Sequence, residues 1–339
     1  PEMKKKPLFI ILLAFALLLG GCSAQPEPQK LSLVAMDTFM TVTAYGADDG
    51  LMTGIREKIE DLEALFSVTR EDSEIYALNN TGHTGLSDDT LTLMTRALEI
   101  CRLTGGALDI SVYPVVQAWG FTTGEYRVPE QTEIDALLAD VGYESIELDG
   151  NEARLPEGMM VDLGSIAKGY TGDVLAAMLK DGGVSSALMD LGGNIQTVGM
   201  RPDGEKWRVG VQDPFGDSYV GVLSIADKAA VTSGGYERYF IADDGTRYCH
   251  IIDPATGRPA QSGIASVTVT AESGTYCDGL STSLFVMGLE DGSELWRGRG
   301  DFDAVFITDS GDLYITEGLE GNFEPEDGVT VNIIQRDER

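Results

Sequence analysis

The sequence predicts an α+β fold, in which antiparallel or mixed sheets are interleaved with helices. Apolar residues recur at helical spacing in several separate segments, such as 51–66 and 88–104. In residues 185–273, by contrast, short runs of strand-forming residues are joined by glycine-rich and Asp-Gly turns, as in antiparallel sheets. Strands and helices do not alternate with the regular period of a parallel sheet, and no internal repeat or long low-complexity linker divides the chain.

The N-terminal part is predicted to contain one strand followed by helices. In residues 35–46 apolar side chains alternate with threonines, which predicts a strand. A helix is expected over 51–66, where apolar side chains form one stripe. Residues 67–80 read as a polar turn leading into a short helix. The next helix covers 88–104, with Ser87 as its N-cap.

The middle of the chain is less regular. Residues 105–121 have glycines at a turn, and Pro114 is expected to break any regular element there. A helix is predicted over 129–141. Residues 145–155 are predicted to form a hairpin, because Asp-Gly-Asn at its centre is a typical hairpin turn.

The C-terminal part is predicted to contain two short helices and a closing hairpin. The helices cover 278–287 and 290–297, and the hairpin joins strands at 303–307 and 313–316.

The first residues have the features of a bacterial lipoprotein signal. Three lysines at 4–6 precede an apolar run over 8–19, which is too short to span a membrane comfortably, and Cys22 follows two glycines. An ordinary secretory signal is the alternative. We expect the protein to lie in the cell envelope, attached to the outer face of the membrane through a lipid on Cys22. The expected division is a signal peptide at 1–21, a lipidated tether at 22–32 and one domain at 33–335.

The charge of the chain excludes one class of partner. Its formal net charge is -31, and removal of residues 1–21, which carry three lysines and one glutamate, changes this to −33. Such a surface repels nucleic acid and anionic lipid, so we expect no nucleic-acid partner. A negatively charged cofactor would need a local region of positive potential.

The cysteines beyond Cys22 are expected to be buried free thiols. Cys101, Cys249 and Cys277 are odd in number and lack the spacing of a zinc site. A disulfide between Cys249 and Cys277 is the alternative.

The stretch 161–180, VDLGSIAKGYTGDVLAAMLK, joins a small-residue loop to a helix. Free backbone N–H groups at a helix N-terminus favour an anion, and Lys168 adds a full positive charge. This pattern indicates a phosphate site. The alternative is that Gly164, Gly169 and Gly172 only permit tight packing at a corner, and on this stretch alone both interpretations stay open.

Two other sets of residues could carry phosphorus chemistry. His250 could take a proton from a hydroxyl group at neutral pH, or could simply pack in a strand beside two isoleucines. Asp278 and Thr282 are four apart in a predicted helix, so their side chains share one face. A carboxylate and a hydroxyl suit a hard cation such as Mg²⁺, although Asp278 could instead be only the N-cap of this helix.

The segment 232–240, TSGGYERYF, contains small residues at a tight turn. It could admit a substrate protein or a planar ring. It could equally be a hairpin between two strands, and both interpretations stay open.

In this order, the segments GGALDIS, VDLGSIAKGY, MDLGGNI, TSGGYERYF, YCHIIDPATGRP and CDGLSTSLF resemble the ApbE family of bacterial flavin transferases, over about residues 33–334. The resemblance implies an ApbE-like, T-fold-related architecture and an FAD:protein FMN transferase that depends on Mg²⁺. It also implies that FAD is the substrate and that the partner is an acceptor flavoprotein subunit with a Thr or Ser flavinylation site.

The resemblance also assigns residues. It implies His250 and Asp278 as catalytic, and Ser165 through its carbonyl, Asp278 and Thr282 as metal ligands. Thr69 stands where many family members have a tyrosine, which puts the aromatic partner of the flavin in doubt. The flavin contacts that it implies are Met36, Thr69, Ala107, Leu108, Asp109, Asp162, Lys168 and His250.

The transferase is the predicted activity, and three alternatives to it remain. A transferase would attach FMN through a phosphoester to a Thr or Ser and release AMP. A Mg²⁺-dependent FAD pyrophosphatase would use water in place of the acceptor hydroxyl. A non-catalytic flavin-binding lipoprotein would retain FAD, with no metal dependence and no AMP. A solute-binding lipoprotein is suggested by the tether alone and leaves His250, Asp278 and Thr282 unexplained.

Overall fold

The computed structural model describes residues 27–336. The helices are α1 (Asp49–Phe66), α2 (Glu74–Thr81), α3 (Asp88–Leu103), α4 (Tyr113–Ala118), α5 (Gln131–Leu138), α6 (Ala167–Asp181) and α7 (Gly274–Gly298). The strands are β1 (Pro28–Ala35), β2 (Thr38–Tyr45), β3 (His83–Gly85), β4 (Glu147–Asp149), β5 (Glu152–Arg154), β6 (Ser186–Leu191), β7 (Asn194–Val198), β8 (Trp207–Gln212), β9 (Tyr219–Ile225), β10 (Ala229–Gly234), β11 (Tyr239–Ile241), β12 (Arg247–Cys249), β13 (Ile252–Asp253), β14 (Arg258–Pro259), β15 (Ile264–Ala271), β16 (Asp303–Thr308), β17 (Leu313–Thr316), β18 (Phe323–Pro325) and β19 (Val331–Ile334). The predicted α+β class is confirmed.

A nine-stranded sheet forms the centre of the fold. Its strand order is β1-β2-β6-β7-β10-β15-β16-β17-β19. Neighbouring strands are antiparallel, except for the parallel pair β17 and β19. Smaller sheets lie beside it, in the orders β18-β9-β8 and β3-β5-β4, together with the hairpins β11-β12 and β13-β14.

Both faces of the large sheet are covered. In β16, Ala304 and Phe306 belong to the core shared with α2, α3 and α7, whereas Val305 and Ile307 belong to the core shared with the β18-β9-β8 sheet. This alternation follows from the two-residue repeat of a strand. A third core joins α1 and α6 to the β1-β2-β6 edge, and a fourth surrounds Trp119.

The sheet begins earlier than the sequence indicates. β1 starts at Pro28 and pairs along its whole length with β2, from Pro28 opposite Tyr45 to Ala35 opposite Thr38. The last part of the predicted 22–32 tether is therefore an edge strand, and the domain starts before residue 33. Residues 1–26, with the predicted signal peptide and Cys22, lie outside the described residues.

Pro114 does not break regular structure, contrary to expectation. It lies in the first turn of α4, where proline is tolerated because the first N–H groups of a helix have no intrahelical acceptor. The interpretation of 232–240 as a hairpin is also wrong. β10 ends at Gly234 and β11 begins at Tyr239, but β11 pairs with β12 and not with β10.

The two helices predicted at 278–287 and 290–297 form one interrupted element, α7. Gly288 adopts φ 83°, ψ -177°, which divides α7 at the expected place. However, α7 begins at Gly274 with Ser273 as its N-cap, and the Ser273 hydroxyl accepts from the Tyr276 N–H. Asp278 thus lies in the second turn, and its interpretation as a simple N-cap is excluded.

Two glycines allow α6 and α7 to approach each other near their N-termini. A Cβ at Gly169 would lie 2.2 Å from the Gly274 carbonyl oxygen and 2.7 Å from the Asp278 Cβ. A Cβ at Gly274 would lie 2.7 Å from the Gly169 carbonyl oxygen and from Gln196 Oε1. At each position one of these contacts is with a backbone carbonyl oxygen, which cannot move aside as the end of a flexible side chain can.

We therefore predict that Gly169→Ala destabilises the protein. The added methyl would force α6 and α7 apart, at a cost of about 1–3 kcal/mol in the free energy of unfolding. Gly298→Ala is the matched control, because no atom lies within 4 Å of its Cβ position. Denaturant unfolding measures both variants, and equal stabilities of the two would contradict the predicted close contact.

Candidate active site

The N-termini of α6 and α7 are connected by two carboxylates. Asp278 of α7 accepts a hydrogen bond at Oδ2 from the Gly169 N–H, 2.8 Å away. Asp173 of α6 accepts from the Gly274 N–H at 2.6 Å and from the Thr275 N–H at 2.9 Å. Each helix therefore supplies the acceptor for N–H groups that its partner cannot satisfy internally.

The two carboxylates differ in whether an oxygen remains free of hydrogen bonds. Asp173 Oδ2 also accepts from the hydroxyls of Ser273 at 2.7 Å and Thr275 at 2.6 Å, so both of its oxygens are occupied. Within residues 27–336, Asp278 Oδ1 receives no hydrogen bond of ordinary geometry, although Asp278 is buried. A buried carboxylate with one free oxygen is suited to bind a cation.

Burial of Asp278 opposes the ionisation of its carboxyl group, and three neighbouring groups partly offset that effect. Burial raises the pKa of Asp278, while the charge of Lys168, the Gly169 N–H and the Asn194 amide act to lower it. The buried Asn194 Nδ2 donates no hydrogen bond of ordinary geometry among the described residues. The Asn194 amide therefore acts on Asp278 as a nearby dipole and remains free to donate.

Thr282 lies on the same helical face as Asp278, as predicted. It is half-buried, and its hydroxyl lies 3.3 Å from the Ser233 hydroxyl at the end of β10. Ser233 also contacts the Ser281 hydroxyl at 2.8 Å. The end of β10 thus meets α7 through three hydroxyl groups beside Asp278.

The donor set around Asp278 fits a magnesium ion better than a transition metal. Among the described residues no group of three or more His, Cys, Asp and Glu side chains could hold a metal. One carboxylate oxygen with a hydroxyl suits Mg²⁺, which keeps several waters and binds substrate phosphate. Ser165, the other predicted ligand, is half-buried in the turn just before α6, four residues from Gly169.

His250 follows β12 and is oriented by one carbonyl group. The Arg238 carbonyl oxygen accepts from the His250 backbone N–H at 3.0 Å and lies 3.1 Å from His250 Nδ1. Because a carbonyl only accepts, Nδ1 carries the proton and Nε2 presents its lone pair. Burial lowers the pKa of His250 to about 4 against the opposing effect of this hydrogen bond, and the charges of Arg238 and Lys168 lower it further.

The charge of Lys168 acts on both Asp278 and His250. Lys168 is half-buried in the first turn of α6, and no carboxylate lies within 4.0 Å of its Nζ among the described residues. Its charge nevertheless lowers the pKa values of Asp162 and Asp278 and that of His250. These three residues are far apart in the sequence, and all lie within range of the charge of Lys168.

Asp162 and Glu237 are the other acids within range of the charge of Lys168. Burial raises the pKa of Asp162, against hydrogen bonding from the Gly164 N–H at 2.9 Å. Part of Glu237 is exposed, yet desolvation raises the pKa of its carboxyl to about 7. Lys168 opposes this shift and the charge of Asp278 reinforces it.

Two of the predicted flavin contacts lie beside the helix pair. Met36 is half-buried in the β1–β2 turn, and its sulfur accepts from the Thr171 hydroxyl at 3.7 Å. Leu108 is 3% exposed, and its Cδ2 lies 3.4 Å from where a Gly279 Cβ would be. Met36 thus touches α6 and Leu108 packs against α7 next to Asp278.

Other predicted contacts have different surroundings. Asp109 is buried and accepts from the Ser111 N–H at 2.8 Å, the Ser111 hydroxyl at 2.6 Å and the Tyr143 N–H at 3.0 Å. Both oxygens of Asp109 are therefore occupied by hydrogen bonds from within the protein. Ala107 is half-buried beside it, and Thr69 is exposed in the turn after α1.

Three residues of the site were not identified from the sequence: Asp173, Asn194 and Glu237. Asp173 lies four residues after Gly169, which repeats the spacing between Gly274 and Asp278. That repeated Gly-x-x-x-Asp pattern is the signal that could have revealed Asp173. Asn194 and Glu237 have no local pattern, because their role depends on tertiary contacts. Cys101, Cys249 and Cys277 are buried free thiols, as expected.

Fold and site together define an enzyme of the flavin-transferase class. The structure superimposes on the ApbE protein from Thermotoga maritima with a TM-score of 0.81 at 30% identity, covering 87% of this chain and 99% of that one. The flavin transferase ApbE from Vibrio cholerae gives a TM-score of 0.77 at 33% identity over the same shares.

The family follows from the sequence comparisons. The model of the ApbE family matches residues 36–306, so the chain belongs to the ApbE family. The FAD:protein FMN transferase of Vibrio cholerae serotype O1 is 38% identical over 301 residues, which cover 84% of this chain and 89% of that protein. The FAD:protein FMN transferase of Escherichia coli K12 is 32% identical over 332 residues, covering 91% and 94%.

The lowered pKa of His250 predicts a specific effect of acid on stability. The unfolded chain binds a proton on this histidine near pH 6.5, whereas the folded chain does so only near 4. Protonation therefore favours unfolding, and the contribution of His250 to stability falls as the pH drops from about 6.5 to about 4.

We expect His250→Gln to reduce this loss. Melting temperatures of parent and variant, measured from pH 7.5 to about 4, should differ in slope below about 6.5. Parallel curves over this range would show that His250 is not protected from protonation in the folded protein.

Proposed function

We propose that the protein is a Mg²⁺-dependent FAD:protein FMN transferase. It attaches FMN through a phosphoester to a Thr or Ser of an acceptor protein and releases AMP. The observation that carries this proposal is the orientation of His250, whose Nδ1 is held by the Arg238 carbonyl so that Nε2 is free to accept a proton. The names of the related flavin transferases support the same activity.

In the proposed reaction the acceptor hydroxyl oxygen attacks the phosphorus on the FMN side of FAD. The bond from this phosphorus to the bridging oxygen breaks, and the AMP phosphate departs with that oxygen. The proton of the attacking hydroxyl passes to His250 Nε2. Since the pKa of His250 is lowered to about 4, the imidazole is neutral at pH 7 and ready to accept it.

A cation would be held at the free oxygen of Asp278, with the Thr282 hydroxyl and the Ser165 carbonyl as further ligands. Mg²⁺ bound there would neutralise charge that develops on the phosphate oxygens. Asp278 is suited to this role because its Oδ2 is already fixed by the Gly169 N–H. The carboxylate therefore loses little freedom when it binds a cation.

Lys168 would supply the local positive potential that FAD requires. The chain carries a formal net charge of -31, so its general field repels an anionic substrate. Lys168 lies in the first turn of α6, where the helix dipole adds positive potential, and no carboxylate pairs with it within the described residues. Asp162 lies near Lys168 and would contact the nucleotide. Other proposed contacts of FAD are Met36, Thr69, Ala107, Leu108 and Asp109.

We further propose that the protein acts in the cell envelope on a flavoprotein subunit. The support is the lipoprotein-type signal before Cys22, which would place a lipid anchor at the outer face of the membrane. None of the helices within residues 27–336 combines the length and the apolar character that a membrane-spanning segment requires. The acceptor would be a protein with an accessible Thr or Ser.

We predict that His250→Ala abolishes transfer while FAD binding persists. Loss of a general base lowers a rate by about 10²- to 10⁴-fold. His83→Ala is the matched control, because His83 is the other histidine of the chain and is exposed in β3. FAD binding is measured by fluorescence quenching, and transfer by the in-gel fluorescence of an acceptor domain. Equal transfer by His250→Ala and the parent would eliminate the proposed base.

We also predict a metal requirement that depends on Asp278. EDTA should abolish AMP release, and added Mg²⁺ should restore it. Asp278→Asn should raise the Mg²⁺ concentration needed for half-maximal activity by about tenfold or more, because a charged ligand becomes neutral. If AMP release continues in EDTA, the proposed role of the cation is wrong. If AMP appears with free FMN beside an unmodified, competent acceptor, the enzyme is a pyrophosphatase instead.

A further inference from the structure

The contact between α6 and α7 has an internal repeat. Gly169 and Asp173 are four residues apart in α6, and Gly274 and Asp278 are four residues apart in α7. The aspartate of each helix accepts a hydrogen bond from the N–H of the glycine in the other, at 2.8 and 2.6 Å. The two Gly-x-x-x-Asp segments therefore cap each other reciprocally.

The two Gly-x-x-x-Asp segments differ in the hydrogen bonding of their aspartates. Asp173 uses both oxygens in four hydrogen bonds to Ser273, Gly274 and Thr275, all within the protein. Asp278 makes one such bond and keeps Oδ1 free. The first carboxylate is thus fully occupied with holding α7, whereas the second is held and still able to bind a ligand.

We propose that Asp173 is a positioning residue, which fixes the start of α7 and thereby the direction in which the free oxygen of Asp278 points. Gly274 is one helical turn before Asp278, so a shift of the first turn of α7 moves the Asp278 side chain. The close approach of Gly169 and Gly274 leaves no room for compensation, because a Cβ at either position would overlap backbone.

The positioning role of Asp173 rests on the proposed function only in its effect on catalysis. The geometric claim, that Asp173 fixes the position of Asp278 through the start of α7, can be tested in the protein without FAD. The Gly169 N–H is the reporter, because its acceptor is Asp278 Oδ2, on the helix opposite to Asp173.

The test compares the full chain in detergent with its Asp173→Asn variant. Hydrogen exchange is followed at the amides of Gly169, Gly274 and Thr275. We expect exchange to accelerate at all three by about tenfold or more, since hydrogen bonds to a charged acceptor are lost. Binding of manganese(II) alone, measured by its paramagnetic resonance signal, should weaken by about tenfold, because the cation ligand is displaced.

Asp181→Asn is the matched control. It removes an exposed carboxylate at the other end of α6 that makes no hydrogen bond or ion pair among the described residues, and it should change neither measurement. If Asp173→Asn does not fold, Thr275→Val takes its place, since it removes only the 2.6 Å hydroxyl bond to Asp173. The same changes, smaller in size, are then expected.

The proposal is overturned if exchange accelerates at Gly274 and Thr275 while Gly169 and manganese(II) affinity stay as in the parent. That result would make Asp173 a local cap of α7 and nothing more. Failure of the proposed function is a separate outcome. In that case the parent transfers no FMN, while the coupling between the amides of Gly274 and Gly169 is still observed.

Discussion

The candidate active site depends on one close contact, where the backbones of α6 and α7 meet at Gly169 and Gly274. At this distance the N–H groups at the start of each helix come within reach of an aspartate on the other. Helix N-termini leave such donors unsatisfied, and a carboxylate is their most favourable partner because it also interacts with the helix dipole. The contact therefore gives a buried carboxylate a partner that favours its ionised form.

This arrangement explains how a strongly acidic protein can handle an anionic substrate. Burial alone would favour the neutral form of Asp278 and so weaken the proposed binding of a cation. The Gly169 N–H and Lys168 counteract that effect, and the charge of Lys168 also lowers the pKa values of Asp162 and Glu237. Burial likewise favours the neutral form of His250, and this form is the one that can accept a proton. The same desolvated surroundings thus favour a neutral His250, whereas the ionised form of Asp278 depends on the Gly169 N–H and Lys168.

Much of the architecture could be predicted from the sequence, because it depends on local patterns. The strand at 35–46, the helix over 51–66 and the hairpin at 145–155 follow from periodicity and turn residues, and the structure contains all three. No local pattern predicts the first strand, because edge residues 28–32 are mostly polar and begin with proline. The effect of Pro114 cannot be predicted from the residue alone, because it depends on the position of the proline within a helix.

Prediction of the site was limited in the same way. The sequence shows the helical spacing of Asp278 and Thr282. It does not show that α7 starts at Gly274, and only that start excludes Asp278 as the N-cap. Asp173, Asn194 and Glu237 gain their roles from residues distant in sequence, which no local pattern reveals. The most direct test of the account is to incubate the full chain in detergent with FAD, Mg²⁺ and a candidate acceptor domain, and to quantify AMP together with the intact mass of the acceptor. The account predicts that the acceptor gains the mass of FMN less one water, in equimolar amount to AMP. AMP formed with free FMN, or FAD left intact beside a competent acceptor, would contradict it.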